Sequence, residues 1–352
     1  MSHIRDIARS RRSVVAALGL AMLLVQQAAA DPFWHNAVKV VAADRMTVTT
    51  AAGSGEIPLF VSPTWMQPLA GIRRVVIVVP GIDRDAATTM RGAEAARAAA
   101  GTAGQATLLV VPQFLAAVDI TAFALPPPTL RWSINGWSGG YPAIAPAPLS
   151  SFDVLDAILR HVADRNVFPD LAEVVVAGHS AGGQTVQRYA VASNGIPALA
   201  VRRVRIRYVV ANPSSYLYFS DDRPQPANAA ACPKFNRWRF GLADAPPYVS
   251  ATADLESRYA ARSVIYLLGT ADTDPNHIAL DRSCGAEAQG AYRLARGQAF
   301  FAYFKARHPA MTSQHLVLVP GVAHSSVRIY RSVCGLAALF GSAGCAALPA
   351  SP

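Results

Sequence analysis

Apolar, β-branched runs recur along the chain and alternate with segments of helical pattern. Continuous apolar runs of this length are typical of strands buried on both faces of a parallel sheet. Their alternation with helices predicts an α/β fold: a doubly wound, mostly parallel sheet flanked by helices. The predicted parallel strands are 75–79, 108–111, 174–177, 206–210, 264–268 and 316–319. Antiparallel edge strands are predicted at 38–41, 46–50 and 57–61.

The helices between these strands are predicted from apolar stripes and from residues that favour helix ends. Ser150 or Ser151 is expected to cap the start of helix 152–165, because a serine hydroxyl accepts the free N–H groups of a first turn. Gly101 is expected to end helix 86–100, and Gly195 is expected to end helix 181–194. The predicted helices are 86–100, 152–165, 181–194, 286–305 and 326–340.

Two long stretches break the alternation. Residues 121–149 hold six prolines with Trp132, Trp137 and Tyr141, and residues 212–248 are rich in aromatic side chains. Long loops in a compact domain are usually functional or disordered, and the aromatic content argues against disorder. We expect both stretches to be cap or rim segments. The two tryptophans are predicted either to line a substrate groove or to form the core of the cap.

The first 30 residues have the pattern of an export signal: a basic start, an apolar stretch and a small-residue cleavage site at 28–30. The apolar stretch, 14–25, has 12 residues, fewer than the ~20 that a spanning helix needs. We expect a cleaved leader, a single domain over 31–352, and a periplasmic or extracellular location. Residues 10–15 resemble a twin-arginine motif, and the choice between that route and the general secretory route stays open.

The formal net charge is +10 and falls to +7 without the predicted leader. The arginines are scattered and no nucleic-acid-binding motif accompanies them, so no nucleic-acid partner is expected. No stable membrane span is expected after cleavage, and the oligomeric state is left open.

The four cysteines predict two disulfides in an exported protein. Of the three possible pairings we favour Cys334–Cys345, which are close in sequence, leaving Cys232–Cys284. The second bond would tie the 212–248 segment to the loop after predicted strand 264–268. The cysteine spacing does not suit zinc, and no cluster of histidines and carboxylates predicts another metal.

The strongest chemical signal is the sequence Gly178-His179-Ser180-Ala181-Gly182. It lies between a predicted strand and a predicted helix, which is the setting of a G-x-S-x-G nucleophile elbow. A serine on so tight a turn projects its hydroxyl above the sheet edge, and small neighbours let strand and helix approach. The helix N-terminus offers N–H groups to a developing oxyanion.

A serine nucleophile needs a base, and the base needs an orienting carboxylate. The turn 269–272 follows one predicted strand and ends at Asp272, and the segment 320–324 follows another and ends at His324. Ligands of such sheets bind at the carboxyl ends of the strands, where both residues would lie. Asp274, two residues later in the chain, is the alternative candidate for the orienting carboxylate.

Over roughly residues 70–340 the chain resembles the α/β-hydrolase superfamily, in its range of secreted bacterial serine esterases and lipases. The elbow, the Gly-x-x-Asp turn and the Pro-Gly-x-x-His segment occur in the family's chain order of serine, acid and histidine. The resemblance implies the α/β-hydrolase fold and a mechanism without a cofactor. It implies Ser180 as nucleophile, Asp272 as orienting acid, and His324 as general base and then acid.

The resemblance also implies two main-chain oxyanion donors, the N–H groups of Ala181 and Ile82. Relatives often have His-Gly where this chain has Pro80-Gly81, and a main-chain donor survives that change. The charged run 83–85 is expected to form a local ion pair that shapes this loop.

Other histidines are given no catalytic role. His179 is expected to pack beside the sheet, and His277 and His315 lack the strand-end position of His324.

We expect an exported enzyme that hydrolyses carboxylic esters through an acyl-enzyme. The aromatic, apolar rim and the predicted export favour an apolar or polymeric ester as substrate: a small molecule such as an aryl ester, a lipid or a polyester. An amidase or peptidase of the same fold would use the same triad and is the nearest alternative. A non-catalytic exported binding protein on a hydrolase scaffold is the alternative from another class.

Overall fold

The structure is a computed structural model that describes residues 32–62, 65 and 67–348. The predicted leader, 1–30, lies outside the described residues. Within the described ranges no helix is long and apolar enough to cross a membrane.

The predicted strands assemble into one sheet. The strands are β1 Arg45–Thr50, β2 Gly53–Ser62, β3 Arg74–Val79, β4 Thr107–Pro112, β5 Glu173–His179, β6 Arg205–Ala211, β7 Val264–Gly269 and β8 Gln314–Val319. Their order in the sheet is β1-β2-β4-β3-β5-β6-β7-β8. β2 pairs antiparallel with β1 and β4, and the strands from β4 through β8 pair in parallel. The predicted doubly wound, mostly parallel α/β sheet is therefore confirmed.

The prediction of a strand at 38–41 is wrong. Its backbone groups are satisfied by side chains instead of by a neighbouring strand: the Val38 N–H donates to Asp119 Oδ1 at 2.8 Å, and the Val40 carbonyl accepts from Gln113 Nε2 at 2.8 Å. Because polar side chains replace the strand partner, the segment does not join the sheet.

The helices flank both faces of the sheet. They are α1 Ala86–Ala99, α2 Ala117–Ala122, α3 Ser151–Val162, α4 Ala181–Ala192, α5 Ile196–Val201, α6 Pro226–Ala230, α7 Pro247–Ser250, α8 Leu255–Ala260, α9 Cys284–Glu287, α10 Arg293–Arg307, α11 Ser326–Arg331 and α12 Val333–Phe340. The Ser150 hydroxyl accepts the Phe152 N–H at 3.0 Å, so Ser150 is the N-cap of α3.

Two predicted helices are interrupted in the structure, and one predicted helix end lies elsewhere. The predicted helix 286–305 is divided into α9 and α10, and Gly290 lies between them at φ +137°. The predicted helix 326–340 is divided at Ser332, whose hydroxyl accepts the Gly335 N–H at 3.0 Å and starts α12. Gly195 has right-handed helical backbone angles and is the N-cap of α5, whereas α4 ends at Ala192 with Ser193 as its C-cap.

Alternate side chains of the central strands belong to two separate cores. Val75, Ile77 and Val79 of β3 pack on the face covered by α3, α4 and α10. Val76 and Val78 pack on the face covered by α1, α11 and α12. This burial on both faces explains why the strands appear in the sequence as continuous apolar runs.

The two proline- and aromatic-rich segments are packed against the sheet domain and against each other. Trp132 and Trp137 are buried, and Trp137 stacks on Phe114 with ring centroids 5.5 Å apart. Both tryptophans therefore belong to the core rather than to a groove. Trp238 of the second segment donates from Nε1 to the Gly139 carbonyl of the first at 2.7 Å.

Both favoured disulfides, Cys232–Cys284 and Cys334–Cys345, are present. The first joins the 212–248 segment to α9, which follows the loop after β7. The second joins the start of α12 to the segment that follows this helix.

Candidate active site

Ser180 lies on a sharp turn between β5 and α4. Its backbone has φ +58° and ψ −122°, a left-handed φ that is uncommon for a residue other than glycine. A Cβ on Gly178 would lie 2.3 Å from the Gly182 carbonyl oxygen, and a Cβ on Gly182 would lie 2.2 Å from the Val79 carbonyl oxygen. Glycine is required at both positions because strand and helix approach so closely. The local structure is the predicted strand, turn and helix.

Asp272 and His324 follow neighbouring parallel strands. β7 and β8 pair up to Gly269 opposite Val319, so the loops that leave them lie side by side. His324 Nδ1 and Asp272 Oδ2 are 2.7 Å apart, and both side chains are largely buried. Since an ionised carboxylate only accepts, Nδ1 carries the proton and Nε2 is the basic nitrogen.

The structure distinguishes the two rival carboxylates. Asp274 is exposed, and its Oδ1 accepts the Asn276 N–H at 2.8 Å. Asp272, and not Asp274, is therefore the carboxylate that contacts His324.

Ser180 and His324 line the same cavity, which has a volume of about 400 Å³. Gly81 and Ile82 of the loop after β3 also line it. In the part of the chain that the structure describes, no hydrogen bond of 3.5 Å or less joins the Ser180 hydroxyl to His324. Catalytic hydrogen bonds of this kind are often long without substrate and tighten when it binds.

The two expected oxyanion donors come from adjacent elements. Ala181 is the first residue of α4, whose opening N–H groups have no acceptor within the helix. Ile82 lies in the loop after β3, where the Arg84 N–H closes a turn onto the Gly81 carbonyl at 3.1 Å. The close approach of Gly182 to the end of β3 brings this loop against the first turn of α4.

Arg84 does not form the local ion pair expected with Asp83 or Asp85. Its guanidinium instead binds Asp119 through two contacts, Nε to Oδ2 at 3.0 Å and Nη2 to Oδ1 at 3.2 Å, and both side chains are fully buried. Asp85 caps α1 by accepting the Thr88 N–H at 2.8 Å. A bidentate pair with a distant carboxylate satisfies the buried guanidinium better than exposed neighbours in the chain.

The Arg84–Asp119 pair also holds the N-terminal segment against the loop of Ile82. Arg84 donates to the carbonyls of Trp34 at 2.6 Å and Asn36 at 2.9 Å. Phe33, which begins the same segment, lines the cavity of Ser180. The pair therefore fixes one wall of the candidate site.

We expect Asp119→Asn to lower the free energy of unfolding by about 3 kcal/mol, because it leaves the buried Arg84 charge without its counter-ion. Urea unfolding of the purified protein measures this change. Asp244→Asn is the matched control: its ion pair with Arg237 is exposed, and its loss should cost less than about 1 kcal/mol. Equal effects of the two variants would contradict a special role for the buried pair.

Two further residues lie beside Asp272 and His324: Arg293, which the sequence analysis did not single out, and His277, to which it gave no catalytic role. Arg293 is fully buried at the start of α10, and its Nη1 lies 3.5 Å from Asp272 Oδ1. The His277 ring lies 4.9 Å from the His324 ring, and its Nδ1 accepts the Ala279 N–H at 3.1 Å. The sequence signal for Arg293 was its position as an arginine inside a predicted helix. The sequence signal for His277 was its nearness to Asp272 in the chain.

The imidazoles around the site are held neutral. Burial lowers the pKa of His324 below its usual 6.5; the hydrogen bond to Asp272 acts against this, but the charge of Arg293 adds to the lowering. Burial lowers the pKa of His179 well below the usual value, and its ring lies 4.4 Å from that of His324. Burial and Arg293 also lower the pKa of His277. A neutral His324 is the form that can accept a proton.

The pH dependence of activity should reflect this shift. A general base works only when it is unprotonated, so kcat/KM falls as the pH falls through the pKa of His324. Because that pKa is lowered, we expect the acid limb to have its midpoint below pH 6.5. A pH-stat assay of ester hydrolysis from pH 4 to 8 measures it, with circular dichroism to show that the fold persists. A midpoint at or above 6.5 would contradict the expectation.

Comparison with known proteins supports the fold. No family model matches the chain, and no curated protein matches it. Among solved structures it is similar to poly(aspartic acid) hydrolase-1 from Sphingomonas sp. KT-1, with 23% identity and a TM-score of 0.54 over 83% of this chain and 96% of that chain. It is also similar to a poly(3-hydroxybutyrate) depolymerase from Bordetella parapertussis, with 21% identity and a TM-score of 0.57 over 84% and 90% of the two chains. With its sheet order, its flanking helices and these structural neighbours, the chain has the α/β-hydrolase fold.

Proposed function

We propose that this protein is an exported serine hydrolase that cleaves carboxylic esters through an acyl-enzyme. The observation that carries the proposal is the 2.7 Å contact between His324 Nδ1 and Asp272 Oδ2, beside a cavity that Ser180 shares with His324. This is the relation between base and acid that a serine nucleophile requires. The candidate leader and the two disulfides support export.

In this proposal Ser180 Oγ attacks the ester carbonyl carbon while His324 Nε2 takes the serine proton. The N–H groups of Ala181 and Ile82 hold the oxygen that becomes negative in the tetrahedral intermediate. The intermediate collapses, the C–O bond to the alcohol breaks, and His324 returns the proton to the leaving oxygen. Water then attacks the acyl-enzyme with His324 as base, which releases the acid and restores Ser180.

The substrate class is proposed from the two structural neighbours and from the shape of the site. Both neighbours are named for action on polymers, a poly(aspartic acid) and a poly(3-hydroxybutyrate). The cavity opens at the carboxyl edge of the sheet, between the loop of Ile82 and the start of α11 at Ser326. We propose small or polymeric esters as substrates. Among the described residues, none of 121–149 or 212–248 lines this cavity, so the rim role expected for those segments is not part of the proposal.

Two measurements on the purified protein test the proposal. Labelling with a fluorophosphonate, followed by peptide mapping, should place the phosphonate on Ser180. Turnover of p-nitrophenyl esters of increasing acyl length should follow, and the length profile distinguishes small esters from lipid-like ones. A folded protein that labels but cleaves only amides would identify an amidase. Failure of both labelling and turnover would favour a binding protein and overturn the proposal.

A further inference from the structure

A buried arginine lies behind the carboxylate that contacts His324. The Arg293 side chain is fully buried, and its Nη1 lies 3.5 Å from Asp272 Oδ1. His324 uses the other oxygen, Oδ2, at 2.7 Å. Asp272 is thus contacted from two sides, by a hydrogen bond from the imidazole at one oxygen and by an ion pair with the guanidinium at the other.

The other contacts of Arg293 fix its position. Its Nε donates to Ser214 Oγ at 3.0 Å, and its Nη2 donates to the Ala279 carbonyl at 2.7 Å. Nη2 also lies 3.4 Å from His277 Nδ1. A buried guanidinium is costly unless it is paired and hydrogen-bonded. Asp272 is the carboxylate that pairs with it, so the two charges depend on each other.

We propose that Arg293 is a positioning residue of the reaction, which holds Asp272 against His324 and opposes the protonation of His324. This inference rests on the proposed function of Ser180 and His324. A carboxylate alone would stabilise the imidazolium form of its partner. A cation on the far side of the same carboxylate offsets that effect, so the base stays available at lower pH.

The titratable and charged groups around His324 come from three elements: the loop after β7, α10 and β5. Asp272 favours the charged ring, whereas Arg293 of α10 and His277 of the loop after β7 disfavour it. His179 of β5 lies against the ring and is itself kept neutral by burial. Asp274 is exposed and interacts with Arg293 from the solvent side. Of the residues named here around His324, Arg293 is therefore the one that carries a permanent positive charge.

The test compares three variants by two readouts, the NMR titration of His324 and the dependence of kcat/KM on pH. Arg293→Gln should raise both midpoints by roughly one pH unit. It should also lower kcat on the pH plateau by about tenfold or more, because Asp272 loses its second support. Arg293→Lys keeps the charge and should keep the midpoints of the wild type.

Arg296→Gln is the matched control. Arg296 is buried on the same helix, and its guanidinium binds the carbonyls of Gly290, Ser214 and Asp281. Its loss removes a buried arginine without removing the partner of Asp272, and it should leave the His324 midpoint in place. An equal shift in this variant, or wild-type midpoints in Arg293→Gln, would overturn the proposal.

If Arg293→Gln does not fold, Arg293→Met takes its place as the neutral variant. A raised His324 midpoint in Arg293→Met, with the wild-type midpoint in Arg293→Lys, supports a role for charge, and a wild-type midpoint in Arg293→Met overturns it. The NMR titration reads His324 without any turnover. A wild-type protein that shows neither labelling at Ser180 nor ester turnover would refute the proposed function, while the titration would still report on Arg293.

Discussion

Ser180→Ala is expected to lower kcat for ester hydrolysis by about 10⁴-fold or more and to abolish fluorophosphonate labelling. The change removes the atom that forms the acyl-enzyme and leaves only substrate binding and the oxyanion donors to assist water. KM should change little, because the oxyanion donors and the cavity wall stay in place. Initial rates with a p-nitrophenyl ester, over a range of substrate concentrations, measure both constants.

The control for this variant is Ser326→Ala. Ser326 lines the same cavity at the start of α11, and no role is assigned to its hydroxyl. Its replacement should leave kcat within about twofold of the wild type, as for a change away from the reacting atoms. If Ser180→Ala keeps more than a tenth of the activity, the acyl-enzyme mechanism is wrong.

Asp272→Asn is expected to lower kcat by about 10⁴-fold, because a neutral amide neither fixes the tautomer of His324 nor stabilises its imidazolium form. The variant also leaves the buried Arg293 without its counter-ion, so thermal unfolding must show that the protein is folded at the assay temperature. The measurement is kcat at pH 8, where His324 is neutral in the wild type.

Asp274→Asn is the control that distinguishes Asp272 from Asp274 as the carboxylate that orients His324. Asp274 lies two residues later in the same loop, but it is exposed and its Oδ1 accepts the Asn276 N–H. Its replacement should change kcat by less than about threefold. The reverse result, with the large loss at Asp274, would show that the loop rearranges in solution and that Asp274 orients the base.

Much of the site was predictable because its parts are local. The elbow needs glycine at 178 and 182 for steric reasons, so the motif alone predicts the turn around Ser180. Asp272 and His324 follow apolar strands, and parallel strands bring their carboxyl ends to one edge. The choice between Asp272 and Asp274, by contrast, depends on which side chain the turn directs inward.

The partners that span long distances in the chain were not predictable. Arg84 was expected to pair with its neighbours, but it pairs with Asp119, 35 residues away. Arg293 lies in a helix that the sequence joins to α9, and its contact with Asp272 depends on where that helix begins. Such pairs form only when tertiary packing excludes water from both groups, and periodicity carries no information about that.

The N-terminal segment has a practical consequence for producing the protein. Trp34 and Asn36 supply carbonyl acceptors for Arg84, and Phe33 borders the cavity. A recombinant chain trimmed generously beyond the predicted leader, to residue 39 for example, would lose these contacts along with the Val38 N–H that Asp119 accepts. We expect such a chain to fold around an intact sheet but to have a loosened loop at Ile82, the proposed oxyanion donor. The lack of activity in such a preparation would reflect where the recombinant chain begins and not the proposed chemistry.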